Sequence, residues 1–210
     1  MPRVRSHRAA AAALAARDPV MASLVGAAGW PAIRKPQRTH FEALVRSILF
    51  QQLAGAAAAT IHARFVALCE DDVTPERVVA LPFEAMRGAG LSGNKAASVT
   101  DLATKVLDGT VVLDPRGIAR LSDEQIIERL TTVRGIGRWT TEMFLLFQLR
   151  RLDVWPVDDL GVRKGYGLAY GVPMPSSKEL GPLGDVFAPY RSVAAWYLWR
   201  AVDIAVLPLG

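Results

Sequence analysis

The sequence predicts an all-α protein. Apolar residues recur mostly at intervals of three and four along its 210 residues, and no convincing run alternates with a period of two. Residues typical of helix N-caps, such as Thr39, Ser92 and Ser122, stand directly before several of these segments. Because 51% of the residues are hydrophobic and 21% are charged, the chain can bury one compact core or the cores of two small lobes.

Helix start and stop signals divide the chain into segments. Thr39 opens a long apolar stretch that we expect to form one or two buried helices, and Gly109 is a suitable stop for the helix that Ser92 caps. Residues 1–17 are rich in Arg and Ala and poor in acidic residues, and we expect a frayed tail or a first helix there. In chain order, the predicted helices lie in segments 39–68, 74–82, 95–107, 122–132, 138–149, 158–169 and 189–202.

Charge and cysteine content restrict the partners and cofactors. The formal net charge is +5 and Arg outnumbers Lys, which favours a polyanionic partner because guanidinium groups pair with phosphate oxygens in a fork geometry. Cys69 is the single cysteine, so we expect a reducing compartment, no internal disulfide and no zinc or iron-sulfur site. The longest uncharged run, Ser47 to Ile61, is too short and too polar to span a bilayer.

The most informative stretch is Leu130 to Thr141, in which Gly135 and Gly137 stand between two predicted helices. Without side chains at these positions, the N–H groups at the start of the second helix can approach a DNA phosphate. Arg134 and Arg138 flank the turn and could add positive charge. The residues alone leave open the alternative of a tight turn between packed helices. A hairpin of this kind would bind the phosphates of the DNA backbone without contacting the base edges.

These features together resemble a known family. Leu130–Thr141, followed by Asp159 at 22 residues after Gly137, is similar to the helix-hairpin-helix and Gly/Pro-rich loop with Asp of the base-excision DNA glycosylase superfamily, HhH-GPD. Within it, the chain resembles the branch of 3-methyladenine DNA glycosylase II over roughly residues 38–203. The further segments that carry this resemblance are 41–52, 90–96, 156–160 and 189–199.

The resemblance implies a two-lobed helical fold with the active site in the cleft between the lobes. Residues from about 46 to about 160 would form the hairpin-bearing lobe, and residues 18–45 with 161–210 the second lobe. The implied activity is that of a monofunctional DNA glycosylase, which hydrolyses the N-glycosidic bond of alkylated bases such as 3-methyladenine, leaves an abasic site and so initiates base excision repair. The implied partner is double-stranded DNA containing alkylated bases, bound by a monomer at the nucleoid of a bacterial cytoplasm and not at a membrane.

The resemblance assigns the catalytic carboxylate to Asp159, although from the residues alone a helix N-cap is the favoured role. Beside C1′ it would stabilise positive charge on the sugar and orient or deprotonate water. Asp158 would then be the helix cap or a supporting group. Trp139 occupies the position of the Schiff-base lysine of bifunctional relatives, which implies hydrolysis only. Trp139 and Trp199 would form an aromatic pocket for a cationic base. The glycosidic bond of such a base is weak, so its cleavage does not require an obvious general acid.

The resemblance also implies the DNA contacts. Gln52 would fill the gap that the flipped base leaves, with Leu53 as the second choice, and Ala54 replaces the Ser that is usual in the family. The implied DNA-binding residues are Gln52, Leu53, Arg134, Gly135, Gly137, Arg138 and Thr140. Family hairpins hold a monovalent cation, Na⁺ or K⁺, through backbone carbonyls, which here would belong to Thr131, Val133 and Ile136. No other cofactor is expected.

Three other functions stay open at this point. They are a non-catalytic helix-hairpin-helix module that binds damaged or bent DNA, a bifunctional glycosylase/lyase, and a structural helical bundle that binds proteins. Asp159 argues against the first, and Trp139 argues against the second. The hairpin arginines and the pI of about 9.7 argue against the third. The range of lesions depends on the shape of the pocket and is not set by these motifs.

Overall fold

Helices account for all the regular structure in the computed structural model, which describes residues 6–206. No strand occurs in that range, and the predicted all-α class is confirmed. Within it the thirteen α-helices are α1 (His7–Ala15), α2 (Pro19–Ala28), α3 (His40–Phe50), α4 (Gly55–Leu68), α5 (Pro75–Ala80), α6 (Phe83–Gly88), α7 (Gly93–Leu107), α8 (Pro115–Ile118), α9 (Asp123–Leu130), α10 (Arg138–Met143), α11 (Leu160–Tyr170), α12 (Ser177–Leu183) and α13 (Arg191–Val206). None of these helices is both long enough and apolar enough to cross a membrane.

The described chain forms two compact units. The first contains residues 36–144, with α3 to α10, and the second contains residues 6–35 and 145–206, with α1, α2 and α11 to α13. From the sequence, the boundaries were expected at about 46 and about 160. The first boundary lies earlier because α3 continues unbroken through residue 46. The second lies earlier because Trp155 packs in the core of the second unit.

In the unit of residues 36–144, α3 packs against α4 and α7. Thr39 starts α3 with a capping box, because the Thr39 hydroxyl accepts from the N–H of Glu42 and the Glu42 carboxylate accepts from the N–H of Thr39. Ser92 caps α7 as predicted, and its hydroxyl accepts from the N–H of Lys95. The buried apolar side chains of α3 that hold it in this unit are Phe41, Leu44, Val45, Ile48 and Leu49.

In the second unit, α11 and α13 form the main helix pair. They approach closely at Gly165, where an added Cβ would lie 2.0 Å from the backbone oxygen of Leu198. Only a glycine allows this separation, because the contact is with backbone and not with a side chain that could move aside. The same approach brings Asp159, at the start of α11, next to Trp199 on α13.

The prediction of a frayed tail within residues 1–17 is wrong for the described part, and the alternative of a first helix is correct. Ser6 caps α1, and Ala10, Ala11 and Leu14 are fully buried in the core of the second unit. Burial of these small apolar side chains holds the helix on the protein. Residues 1–5 of the expected tail lie outside the described residues.

Other elements differ from the predicted ones in detail. The helix expected over 138–149 ends as an α-helix at Met143 and continues as a π-helical turn, Phe144–Gln148. The helices α2, α8 and α12 were not predicted, although each has a polar cap, Asp18, Asp114 and Ser176 respectively. Their caps were overlooked because short segments give a weak hydrophobic period.

The close approach of α11 and α13 makes a prediction about stability. Gly165→Ala should lower the free energy of unfolding by about 1–3 kcal/mol, because the new methyl group collides with the backbone at Leu198. Gly26→Ala is the matched control in α2 of the same unit, where an added Cβ meets nothing within 4 Å. It should be neutral or stabilising by up to about 1 kcal/mol. Urea denaturation followed by circular dichroism measures both, and a Gly165→Ala protein as stable as the control would contradict the packing argument.

Candidate functional site

Asp159 lies at the N-terminus of α11 and is its N-cap. Its side chain is 8% exposed, and Oδ1 accepts two hydrogen bonds of 2.8 Å, from the N–H of Val162 and from the indole Nε1–H of Trp199. The two donors compensate for burial of the carboxylate and fix its orientation from two different helices. Asp158, which was expected to cap the helix or to support Asp159, is exposed and does not cap it.

Trp199 reaches the carboxylate because α11 carries a glycine at the facing position. A Cβ at Gly161 would lie 2.7 Å from Cδ1 of Trp199 and 3.1 Å from Oδ1 of Asp159. Any larger residue would therefore push the indole away from the carboxylate. Trp199 was predicted for its aromatic ring alone, and its hydrogen bond to Asp159 gives it a second role.

Phe147 is a part of this site that the sequence did not indicate. Its ring stacks on Trp199 with a centroid distance of 5.6 Å and an interplanar angle of 24°, and it is 43% exposed. It lies in the π-helical turn, a feature that is frequent at functional sites. Leu160, directly after Asp159, is also exposed. The second unit thus presents a fixed carboxylate beside a stacked aromatic pair with an exposed apolar neighbour.

A carboxylate held in this way can stabilise a positive charge that develops beside it, and it can orient a water molecule. The nearest lysine in the sequence, Lys164, lies one helical turn further along α11 and is exposed. The Trp139 side chain is 47% exposed and is the second residue of α10, in the other unit. The position two residues after Gly137 therefore presents an indole to solvent.

The two-glycine turn has the geometry that the sequence predicted. Gly135 has a φ of +77°, and a Cβ there would lie 2.8 Å from Oγ of Ser98, so this position requires glycine. Gly137 is the N-cap of α10, and a Cβ there would meet nothing within 4 Å. Val133 and Ile136 are buried beneath the turn. The backbone at Gly137 is therefore accessible, while the apolar side chains anchor the turn from below.

The two hairpin arginines differ in their surroundings. Arg134 is exposed, and its guanidinium donates to the amide oxygen of Asn94 at 2.9 Å. Arg138 forms ion pairs with Glu124 at 2.9 Å and with Glu142 at 3.1 Å. Donation to Glu124 raises the pKa of Arg138 above its ordinary value. The charge of Arg138 is therefore already compensated by carboxylates. Thr140, expected at the DNA, is 7% exposed.

The loop between α3 and α4 lies beside the hairpin in the same unit. Gln52 and Leu53, the two candidates for the inserted side chain, are both exposed. Gln52 has a φ of +56°, a left-handed conformation that residues other than glycine rarely adopt. The side-chain amide of Gln51 donates to the backbone oxygen of Gly135 at 3.0 Å, which ties the loop to the hairpin.

The carbonyl groups expected to hold a monovalent cation lie in the same turn. The Val133 oxygen accepts from the N–H of Ile136 at 3.1 Å, which uses one of its two lone pairs and leaves room for one ligand. The ammonium group of Lys105 donates to the adjacent carbonyl of Thr132. A cation held by Thr131, Val133 and Ile136 stays a prediction. Within residues 6–206 no group of three or more His, Cys, Asp or Glu side chains is arranged to hold a metal ion.

Comparison with known proteins identifies the family to which the chain is similar. Residues 45–181 match the family model described as HhH-GPD superfamily base excision DNA repair protein. DNA-3-methyladenine glycosylase 1 of Schizosaccharomyces pombe is 39% identical over 172 residues, which cover 80% of this chain and 75% of that protein. The structure of the 3-methyladenine DNA glycosylase of S. pombe in complex with abasic DNA aligns with a TM-score of 0.79 at 36% identity, over 94% of this chain and 98% of that one.

A crystal structure of a DNA-3-methyladenine glycosidase from Bacillus halodurans aligns with a TM-score of 0.83 at 34% identity, over 91% of this chain and 88% of that one. The family model covers more than half of the sequence, including both the two-glycine turn and Asp159. The resemblance noted in the motifs is therefore confirmed over most of the chain, and the protein belongs to the HhH-GPD superfamily of base excision DNA repair proteins.

Proposed function

We propose that this protein is a monofunctional DNA glycosylase that removes alkylated bases such as 3-methyladenine from double-stranded DNA and leaves an abasic site. The observation that carries the proposal is the buried carboxylate of Asp159, fixed by Val162 and Trp199 beside an aromatic stack. The names of the relatives support the substrate class, since the S. pombe relative is a DNA-3-methyladenine glycosylase. Its structure with abasic DNA contains the product that such a reaction leaves.

The reaction breaks the bond between the base nitrogen and C1′ of the deoxyribose, and the electron pair leaves with the base. An N-alkylated purine is cationic, so it departs as a neutral molecule without being protonated. The sugar then carries positive charge at C1′, which Asp159 stabilises by its negative charge. Water adds to C1′ and loses one proton, for which Asp159 is the acceptor. Hydrogen bonds from Val162 and Trp199 keep the carboxylate in place throughout.

Aromatic side chains supply the attraction for a cationic base. The electron-rich face of an indole or phenyl ring attracts positive charge, so Trp199 and Phe147 together favour an alkylated base over a normal one. Trp139 presents its exposed indole at the position where bifunctional relatives have a lysine. Without an amine there, no Schiff base with the sugar forms at this position, and hydrolysis is the expected outcome.

We infer that the first unit supplies the DNA contacts. The backbone N–H groups after Gly137 bind a phosphate, and Arg134, which faces a neutral amide, adds charge. Gln52 fills the gap left by the extruded nucleotide, with Leu53 as the second candidate. We further propose that the protein binds and acts on DNA as a monomer. Arg138 and Thr140 stay predicted DNA-binding residues, although Arg138 already pairs with Glu124 and Glu142 and Thr140 is buried.

The role of Asp159 is tested by Asp159→Asn. Asparagine is as good an N-cap as aspartate, so the helix and the fold should be kept. Release of 3-methyladenine from methylated duplex DNA under single-turnover conditions should fall by at least about 10²-fold, because the negative charge beside C1′ is lost. Asp158→Asn, at the exposed neighbour, is the control and should retain activity. Undiminished release by Asp159→Asn would overturn the catalytic role of Asp159, whereas binding of the duplex without release by the unmodified protein would support the non-catalytic DNA-binding module.

The absence of lyase chemistry is tested with borohydride. Incubation of the protein with lesion-bearing duplex and sodium borohydride should trap no covalent adduct, and the DNA strand should stay intact until it is treated with alkali. The physical reason is that an indole occupies position 139, so no imine is available for reduction there. Denaturing electrophoresis detects both the adduct and the nick. A trapped protein–DNA species would establish the bifunctional alternative.

Trp199 and Phe147 should affect different kinetic constants. Trp199→Phe keeps a ring but removes the donor to Asp159, and kcat should fall about 10- to 100-fold while KM changes little, since hydrogen bonds to charged groups contribute roughly 1.5–3 kcal/mol. Phe147→Ala removes half of the stack and should raise KM about 2- to 10-fold. Steady-state excision assays separate the two constants. Identical effects of both variants on kcat alone would show that Phe147 does not contact the base.

A further inference from the structure

One helix, α7, contacts both segments for which we propose DNA contacts. The ammonium group of Lys95, in its first turn, donates to the backbone oxygens of Leu49 at 2.7 Å and Gln51 at 2.9 Å. These carbonyls stand at the C-terminal end of α3, where the helix leaves carbonyl groups without partners and where positive charge is stabilised. Partial burial lowers the pKa of Lys95 below its ordinary value. The contact therefore holds the start of the loop that carries Gln52.

The helix α7 also holds the hairpin, through a face next to that of Lys95. Positions 94, 98, 101 and 105 follow helical spacing and lie on one face. The amide oxygen of Asn94 accepts from the Arg134 guanidinium at 2.9 Å, and Oδ2 of Asp101 accepts from the Arg134 N–H at 2.7 Å. Ser98 lies directly under Gly135. Lys105 bridges Asp101 to the Thr132 carbonyl.

Asp101 is held in its charged form by these contacts. Its partial burial by itself would raise the pKa of the carboxyl group, but hydrogen bonds from the Arg134 N–H and the Lys105 ammonium bring the pKa below its ordinary value. A charged acceptor makes a stronger hydrogen bond to a backbone N–H than a neutral one does. The hairpin is therefore attached to α7 by a charge-assisted bond on its backbone.

Gln51 links the two attachments directly. Its backbone oxygen binds Lys95, and its side-chain amide donates to the oxygen of Gly135 in the hairpin. Gln52 follows with a φ of +56°, and a disfavoured backbone conformation of this kind persists only where the surroundings enforce it. The contacts on the preceding residue supply that enforcement.

We propose that Lys95 is a positioning residue for base extrusion: it holds the loop of residues 51–54 so that Gln52 projects into the gap left by the extruded nucleotide. The helix α7 fixes the position of this loop relative to the hairpin. The hairpin residues that bind the DNA backbone and the side chain that enters the stack are therefore held by the same helix. This inference rests on the proposed DNA contacts of the loop and the hairpin. The competing interpretation is that Lys95 only caps α3 and stabilises the unit.

The test compares Lys95→Met, which keeps the length of the side chain but removes the ammonium, with Lys95→Arg, which restores a charged donor. Lys178→Met, at an exposed residue of the second unit, is the charge-matched control. Three quantities are measured: affinity for an undamaged duplex, fluorescence of 2-aminopurine placed opposite a lesion as a report of extrusion, and single-turnover excision at saturating protein.

Lys95→Met should reduce the fluorescence change and slow excision about tenfold or more, while affinity for the undamaged duplex falls less than about threefold because the hairpin still grips the backbone. Lys95→Arg should recover most of both losses, and the control should resemble the unmodified protein. Gln51→Ala, at a partly exposed site, should shift the same two readouts in the same direction. Gln51→Ala replaces Lys95→Met as the test variant if the Lys95→Met protein does not fold.

A further comparison separates positioning from capping. In a Gln52→Ala background the inserted side chain is already absent, so Lys95→Met should slow excision by much less than it does in the unmodified protein. Equal effects in both backgrounds, or a Lys95→Met protein that loses only thermal stability, would overturn the positioning role. An unmodified protein that excises no alkylated base would instead overturn the proposed function, and the fluorescence assay would still report extrusion.

Discussion

The hydrogen bond from the Trp199 indole to Asp159 depends on how closely α11 and α13 can approach. Two positions of α11 lack a side chain where α13 passes, Gly165 against the Leu198 backbone and Gly161 against the indole itself. A methyl group at either place would force the helices or the indole apart. The position of the carboxylate therefore depends on the packing of α11 against α13. The local sequence around Asp159 supplies the Val162 N–H, whereas the Trp199 indole comes from the other helix.

The capping and catalytic interpretations of Asp159 are compatible. Oδ1 accepts the N–H of Val162 and the indole N–H together, so the cap is one of the two contacts that hold the carboxylate. A helix N-terminus also places the positive end of its dipole beside Asp159, where it attracts negative charge. The same arrangement that begins α11 thus keeps a negative charge fixed, which is what stabilisation of a positive sugar requires.

Local signals were predictable and long-range contacts were not. The caps Thr39, Ser92 and Ser122 are observed where the sequence placed them, because a cap depends on residues only three apart. Phe147 was overlooked because its stacking on Trp199 joins residues 52 positions apart, and an aromatic residue in an apolar segment is normally core. The ion pair of Arg138 with Glu142 can be predicted from the helical spacing of the two residues. The ion pair of Arg138 with Glu124 cannot, because Glu124 lies on the other side of the hairpin.

The proposed reaction has two separate requirements, and the residues that meet each of them lie within one unit. A base that is already cationic leaves without an acid, so the second unit needs only a fixed carboxylate and an attractive aromatic surface. Extrusion of the nucleotide needs a firm grip on the backbone and a side chain that enters the stack, and in the first unit α7 holds both segments through Lys95 and Asp101. Since each arrangement is held by contacts within its own unit, neither has to be assembled when a lesion is met. Substitutions along α7 and along α11 should therefore alter different steps of the same reaction.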